Sequence, residues 1–152
     1  MSQAATDQDA SLLLTVFSFG EALFALDAMR VQEIIRAGAI TPVHRAPEHV
    51  LGIINLRGRI VTVMDPAVRI GLGAQSPGAS SRILIVDWQD EHVGLLVSRI
   101  QDMVSLDRSA LQGAPSNLRQ ALGAFQAGVV QIQEQMVSVL DIGPLLSLDD
   151  KA

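Results

Sequence analysis

Gly52-Ile-Ile-Asn-Leu-Arg-Gly-Arg-Ile-Val-Thr-Val-Met-Asp65 is the stretch that decides the fold. Ile53, Ile54 and Leu56 precede its centre, and Ile60, Val61, Val63 and Met64 follow it. β-Branched residues dominate both arms, which suits a pleated, half-buried surface. Arg57-Gly58 falls between the arms as a two-residue turn. Gly58 can take the positive φ that such a turn requires, so Arg57 is held at the tip of a β-hairpin. Two readings of Arg57 follow: a solvated turn arginine, or a cation displayed on a rigid hairpin for recognition.

The same pattern returns in Gly128-Val-Val-Gln-Ile-Gln-Glu-Gln-Met-Val-Ser-Val-Leu-Asp141. Gly52 aligns with Gly128, Thr62 with Ser138 and Asp65 with Asp141, an offset of 128 − 52 = 76. A second match precedes it. Phe24-Ala-Leu26 and Val31-Gln-Glu-Ile34 parallel Val93-Gly-Leu95 and Ile100-Gln-Asp-Met103, at an offset of 100 − 31 = 69. Two matches in the same order at similar offsets indicate two copies of one unit. The copies diverge at the turn, where Asn55-Leu-Arg-Gly58 becomes Gln131-Ile-Gln-Glu134. A turn with a purely structural job has no reason to carry cation and glycine in one copy alone.

Composition narrows the possibilities. The chain has 152 residues, 49% of them apolar, enough for one domain or two small lobes sharing a core. Val and Ile together number 27 against five aromatic residues, favouring strands over aliphatic cores. With no cysteine, disulfides, thiolate metal sites and cysteine nucleophiles are excluded. The first basic residue is Arg30, so no signal-peptide n-region is expected, and no apolar run reaches the ~18–20 residues of a membrane span. A net charge of −5 argues against non-specific nucleic-acid binding. Ten of the eleven cations are arginine, the side chain suited to forked, planar contacts.

Along the chain, residues 1–11 read as a disordered polar tail. Strands are expected over 11–19 and 22–26 around a Gly20-Glu21 turn. Asp27 is placed to cap a short helix over 28–32, with Met29 read as a core residue. Residues 33–36 extend as a further strand, and 67–72 allow one helical turn. Residues 71–81, seven of eleven Gly, Ser or Pro, read as a mobile linker between a first subdomain at about 12–71 and a second at about 82–148. Strands over 82–88, 92–97 and 100–106 follow, with Trp88 covering a core edge. Residues 107–123, including Pro115, read as a loop with short helical pieces. An apolar segment at 144–148 and a tail at 149–152 end the chain.

No reaction centre emerges. His44 and His49 are five apart without an acid or third ligand at a metal-site spacing. A Gly-x-Ser-x-Gly elbow and a Gly-Lys-Ser/Thr phosphate loop are both missing. Asp65 and Asp141 occupy matching places in the two copies. One structural job done twice, such as satisfying a turn's backbone donors, accounts for them better than a catalytic pair. No catalytic residue, metal ligand or cofactor is expected.

From Leu12 to Leu146 the chain resembles the CheW-like family of chemotaxis coupling proteins. Val31-Gln-Glu-Ile34 and Gly52-Ile-Ile-Asn-Leu-Arg-Gly58 carry the resemblance most specifically. Ile83-Leu-Ile-Val-Asp87, Val93-Gly-Leu-Leu-Val97 and Val139-Leu-Asp-Ile142 support it. The resemblance implies a mainly β fold of two intertwined, SH3-like five-stranded β-barrel subdomains with short helices. It also implies a non-enzymatic adaptor joining the cytoplasmic tips of methyl-accepting chemoreceptors to the regulatory domain of a CheA-type histidine kinase. The location implied is cytoplasmic, at membrane-associated receptor arrays, without membrane insertion and without nucleic acid. Receptor contact is implied at Val31, Glu33, Asn55, Arg57 and Gly58, and kinase contact at exposed apolar positions on the barrel ends.

The chain departs from the family pattern in three places. Its 42–52 connection is about three residues shorter, Thr62 replaces a common proline, and Pro66 replaces a common leucine. These leave open whether the chain serves flagellar chemotaxis or a separate array controlling pili or biofilm. A chain without an attached receiver or kinase favours the standalone adaptor. Two other classes compete: a small-ligand-binding or enzymatic β-barrel, disfavoured by the missing polar site, and a nucleic-acid-binding barrel, disfavoured by the acidic balance and scarce aromatics.

Overall fold

The computed structural model describes residues 11–113 and 122–147. The expectations for the tails and for the loop around Pro115 therefore fall, wholly or in part, outside the described residues. Among the described residues there are ten strands: β1 (Ser11–Phe19), β2 (Ala22–Asp27), β3 (Val31–Arg36), β4 (Val50–Leu56), β5 (Arg59–Met64), β6 (Arg82–Trp88), β7 (Glu91–Val97), β8 (Arg99–Asp107), β9 (Gln126–Ile132) and β10 (Gln135–Leu140). Two short helices, α1 (Pro66–Arg69) and α2 (Ile142–Leu146), follow β5 and β10. Each starts on the aspartate that the repeat had aligned. Asp65 accepts a hydrogen bond from the Ala67 N–H and Asp141 from the Gly143 N–H, satisfying one of the donors every helix start leaves free.

The strands form two five-stranded sheets, in the orders β8-β1-β2-β10-β9 and β3-β6-β7-β5-β4. Matching β1–β5 of the first copy to β6–β10 of the second converts one order into the other. Each sheet therefore takes a β1–β2-type hairpin from one copy and the three later strands from the other. Parallel pairings of β2 with β10 and of β5 with β7 join the contributions. The fold is mainly β, with two intertwined five-stranded units, as expected. The sheets do not divide at residues 71–81, since β5 and β6, on either side, belong to the same sheet.

Irregularities repeat as faithfully as the strands. Gln32 and Gln101 are the residues skipped in the pairings of β3 and β8, and Leu51 and Ala127 those skipped in β4 and β9. Past these bulges the edge strands of each sheet are brought round to close it: Thr41 pairs with Ile53, and Gln112 with Val129. The closure explains the repeated glycine. A Cβ on Gly52 would lie 2.0 Å from the Thr41 carbonyl oxygen, and one on Gly128 would lie 2.7 Å from that of Gln112.

Each barrel holds its own aliphatic core. Leu12, Leu14, Val16, Val130 and Val137 fill the first, and Val61, Val63, Ile83, Ile85 and Leu96 the second. A larger cluster lies between them, built from Phe17, Phe19, Phe24 and Leu26 of one sheet, Met64, Leu84 and Leu95 of the other, and both helices. Every aromatic residue of the chain belongs to this cluster or, like Trp88 and Phe125, packs against it. Met29 does not join a core. It lies in a three-residue 3-10 turn and is 77% exposed, because so short a turn has only one buried position, taken by Ala28.

The 71–81 segment has little regular structure, yet it is pinned at its middle. The Asp65 carboxylate, fully buried, accepts the Gln75 backbone N–H at 2.8 Å and the Gln75 side-chain amide at 2.6 Å. That amide also donates to the Leu96 carbonyl. The Ser98 hydroxyl donates to Gln75 Oε1 and accepts the Gly20 N–H. Gln75 thus ties the connection to both sheets.

Candidate protein-interaction site

β4 and β5 meet in a two-residue turn at Arg57-Gly58, closed by the pairing of Leu56 with Arg59. Both turn residues have positive φ, +52° at Arg57 and +84° at Gly58. This type I′ geometry matches the right-handed twist of the strands it joins. The turns at Gln89-Asp90 and Gln133-Glu134 have the same signature. Arg57 therefore occupies a left-handed conformation itself, which the sequence had assigned to Gly58 alone. Asn55 supports the turn, its side-chain oxygen accepting the Gly58 N–H at 2.8 Å.

Arg57 reaches across the seam of its barrel to Glu33. Nη1 donates to Glu33 Oε2 at 2.9 Å, and Nη2 donates to Oε1. β3 and β4 are the two edges of this sheet, so the bidentate fork spans the gap left where the sheet curls on itself. The fork holds the Glu33 carboxyl below its ordinary value and raises the arginine further, so the pair stays ionised at neutral pH. It remains wet: the Arg57 side chain is 68% exposed and that of Glu33 30%. An exposed ion pair of this kind adds little to stability. Its effect is to fix the direction of a planar cation that stays largely exposed to solvent.

The five residues singled out in the sequence fall into two hydrogen-bonded pairs and one outlier. Arg57 joins Glu33, and Asn55 joins Gly58. Val31 starts β3, pairs with Val86 and packs half-buried against the central cluster, upstream of the bulge at Gln32. Ile60, 63% exposed, pairs with Asn55 beside the tip and gives the site an apolar flank. The arrangement suits recognition of a protein surface by one fixed cation and adjacent apolar area.

Sequence reasoning missed Arg69, at the end of α1. Its guanidinium donates to the carbonyls of Leu145, Pro144 and Ser147 and lies 5.3 Å from the centre of the Phe125 ring. It thereby closes the C-terminal end of α2 and joins the two copies. The matching residue of the second copy is Leu145, so the repeat carried no sign of it. Near Arg69, His49 has its imidazole held below its ordinary value, first by burial and then by the arginine.

One further cleft, of about 400 Å³, includes Trp88, Arg30, Arg108, Asp27 and Asp141. Both carboxylates already accept backbone N–H groups, Asp27 from Met29 and Asp141 from Gly143. Among the described residues, no three His, Asp or Glu side chains converge as metal ligands. No helix among them is long and apolar enough to cross a membrane.

Comparison with known proteins agrees with this architecture. The CheW-like domain model matches residues 14–150. The chemotaxis protein CheW of Rhizobium meliloti is 28% identical over 138 residues, covering 91% of this chain and 89% of that protein. The chemotaxis protein CheW of Thermotoga maritima is 28% identical over 130 residues, covering 86% and 84%. The crystal structure of the scaffolding protein TtCheW from Thermoanaerobacter tengcongensis superposes with a TM-score of 0.81 at 30% identity, covering 88% of this chain and 86% of that one. With two intertwined barrels and a family match along nearly its whole length, the chain belongs to the CheW-like family.

Proposed function

We propose that this protein is a non-enzymatic scaffold of chemotaxis signalling that couples methyl-accepting chemoreceptors to a CheA-type histidine kinase. The observation that carries the reading is a whole-length likeness to CheW proteins, one of them named a scaffolding protein. The Arg57–Glu33 fork is the feature of the site that fits it best. In this reading the receptor's cytoplasmic tip docks on the β4–β5 hairpin. Arg57 supplies the cation, Glu33 orients it, Asn55 and Gly58 shape the turn, and Val31 stiffens the start of β3. The kinase's regulatory domain meets apolar barrel ends, where Ile34 and Met103 occupy matching exposed positions of the two copies, as do Ile60 and Met136. The protein works in the cytoplasm at receptor arrays.

Support for a binding role comes from the division of labour in the hairpin. The second copy makes a turn with the same pair of positive φ angles at Gln133 and Glu134, so folding does not need a cation at Arg57. Arginine is enriched among residues that dominate protein interfaces, where truncation typically costs about 2 kcal/mol, roughly thirtyfold in affinity.

The test is capture from the native cell extract with the tagged full chain. Recovery of a CheA-type kinase together with a chemoreceptor supports the reading. Recovery of neither, under conditions where a known CheW captures both, overturns it. Which array is served follows from the receptor recovered.

A further inference from the structure

The two barrels close their seams differently. In the second barrel, Glu33 and Arg57 form their fork, and Ile35, Leu56 and Val61 belong to the core cluster of that barrel. The matching residues of the first barrel are Asp102, Gln133, Val104, Ile132 and Val137. The acid is kept and the arginine is lost. At the matching place, the first barrel has a cleft of about 130 Å³ whose lining includes these five residues, Leu23 and the polar side chains of Gln101 and Gln135. The backbone of Asp102 pairs with β1 opposite Val16, and its carboxylate makes no hydrogen bond or ion pair among the described residues. Gln133 has neither the charge nor the reach of a guanidinium. Its neighbour in the turn is the acidic Glu134.

We propose that the Asp102–Gln133 cleft is a docking site for an arginine side chain presented by a partner protein, which completes in trans the fork that Arg57 makes in cis. The chain itself shows what fits such a site, because the equivalent place in the other barrel is occupied by a guanidinium. Asp102 accepts two N–H groups of the incoming arginine, and the Gln133 carboxamide oxygen accepts a third. Val104, Ile132 and Leu23 pack along its methylene stem. A lysine meets the acid as a point charge and cannot form the fork. The site lies on the barrel that does not carry Arg57, so its occupation is separable from receptor docking at the β4–β5 hairpin.

The test is an NMR titration of the isotope-labelled full chain with N-acetyl-arginine N-methylamide, which reproduces an arginine within a polypeptide. The inference requires saturable shifts centred on Asp102, Val104 and Gln133, with Arg57 and Glu33 unmoved. Asp102→Asn weakens binding at least tenfold. Gln133→Arg abolishes it, because the new side chain fills the cleft from within. N-acetyl-lysine N-methylamide binds several-fold more weakly. Absence of saturable shifts, shifts centred elsewhere, or equal binding by Asp102→Asn and wild type overturns the proposal. Binding of free arginine but not of the blocked form overturns the assignment to a protein partner. So does sedimentation showing a dimer that Asp102→Asn dissociates, since the occupant is then a second copy of this chain.

Discussion

Asp65 and Asp141 hold the same place in the two copies, and their substitutions should differ in cost by a calculable amount. Both cap a short helix, so Asp→Ala at either position loses a cap worth about 1 kcal/mol. Asp141 is exposed, and water replaces what it gave. Asp65 is fully buried and also accepts the Gln75 N–H and the Gln75 side-chain amide. The amide keeps its second partner, the Leu96 carbonyl. The stranded N–H has none, which adds about 2 kcal/mol. Asp65→Ala should therefore destabilise by about 3 kcal/mol and Asp141→Ala by about 1 kcal/mol. At roughly 3 °C per kcal/mol for a chain of this size, the melting temperature falls by about 9 °C and about 3 °C respectively. Asp65→Asn, which keeps one acceptor oxygen but turns an NH₂ group toward Gln75, should lie between them. Calorimetry and urea titration measure the losses, and hydrogen exchange of the Gln75 amide should rise in Asp65→Ala alone. Equal losses at the two positions would refute the reasoning, because burial and the Gln75 anchor are all that separate them.

Other outcomes follow from the same geometry. Two glycines inserted after Ser76 should cost less than about 1 kcal/mol by urea titration, whereas the same insertion between Leu72 and Gln75 should destabilise as Asp65→Ala does, because it displaces the anchor. Gly52→Ala should destabilise by about 3 kcal/mol or more, judged by thermal melting, since its Cβ meets the Thr41 carbonyl and its φ is +149°; Gly128→Ala, with more room, should cost less. Gly58→Val should destabilise by about 1–2 kcal/mol at a φ of +84°, while Gly58→Asn stays near wild type. His49 is held below its ordinary imidazole value in the fold, so the unfolded chain binds its proton first as pH drops. Stability is then full above about pH 6.5 and declines on acidification; melting curves across that range should show the decline, and His49→Gln should flatten it.

Much of the fold was legible because its signals are local. Gly-bearing turns, alternating apolar residues and the Gly…Ser/Thr…Asp spacing marked two copies of a five-strand unit, and the aligned aspartates proved to be paired helix caps. The exchange of hairpins between the copies was not readable from residues 12–71 and 82–148 taken separately. It depends on the parallel pairings β2–β10 and β5–β7, which join strands far apart in the chain and leave no periodic trace. At the site, Arg57 was visible as a cation at a turn, and Glu33 as a contact residue implied by the family resemblance, but their pairing was not. The left-handed backbone of Arg57 was hidden because Gly58 supplied a sufficient explanation of the turn. Arg69 was invisible since its partners are backbone carbonyls, which any sequence provides. Gln75 looked like part of a neutral linker for the same reason: its partners lie in elements on both sides of it.

Arg57→Ala provides the most direct test of the adaptor reading. The measurement is kinase autophosphorylation in a reconstitution of receptor-containing membranes, the CheA-type kinase and this protein. With the wild-type chain, kinase activity should become responsive to receptor ligand. With Arg57→Ala, that control should be lost by failure to co-sediment with receptor, while the melting temperature and kinase binding stay close to wild type. Receptor control that persists with Arg57→Ala, or that is the same with and without the wild-type chain, would contradict the account.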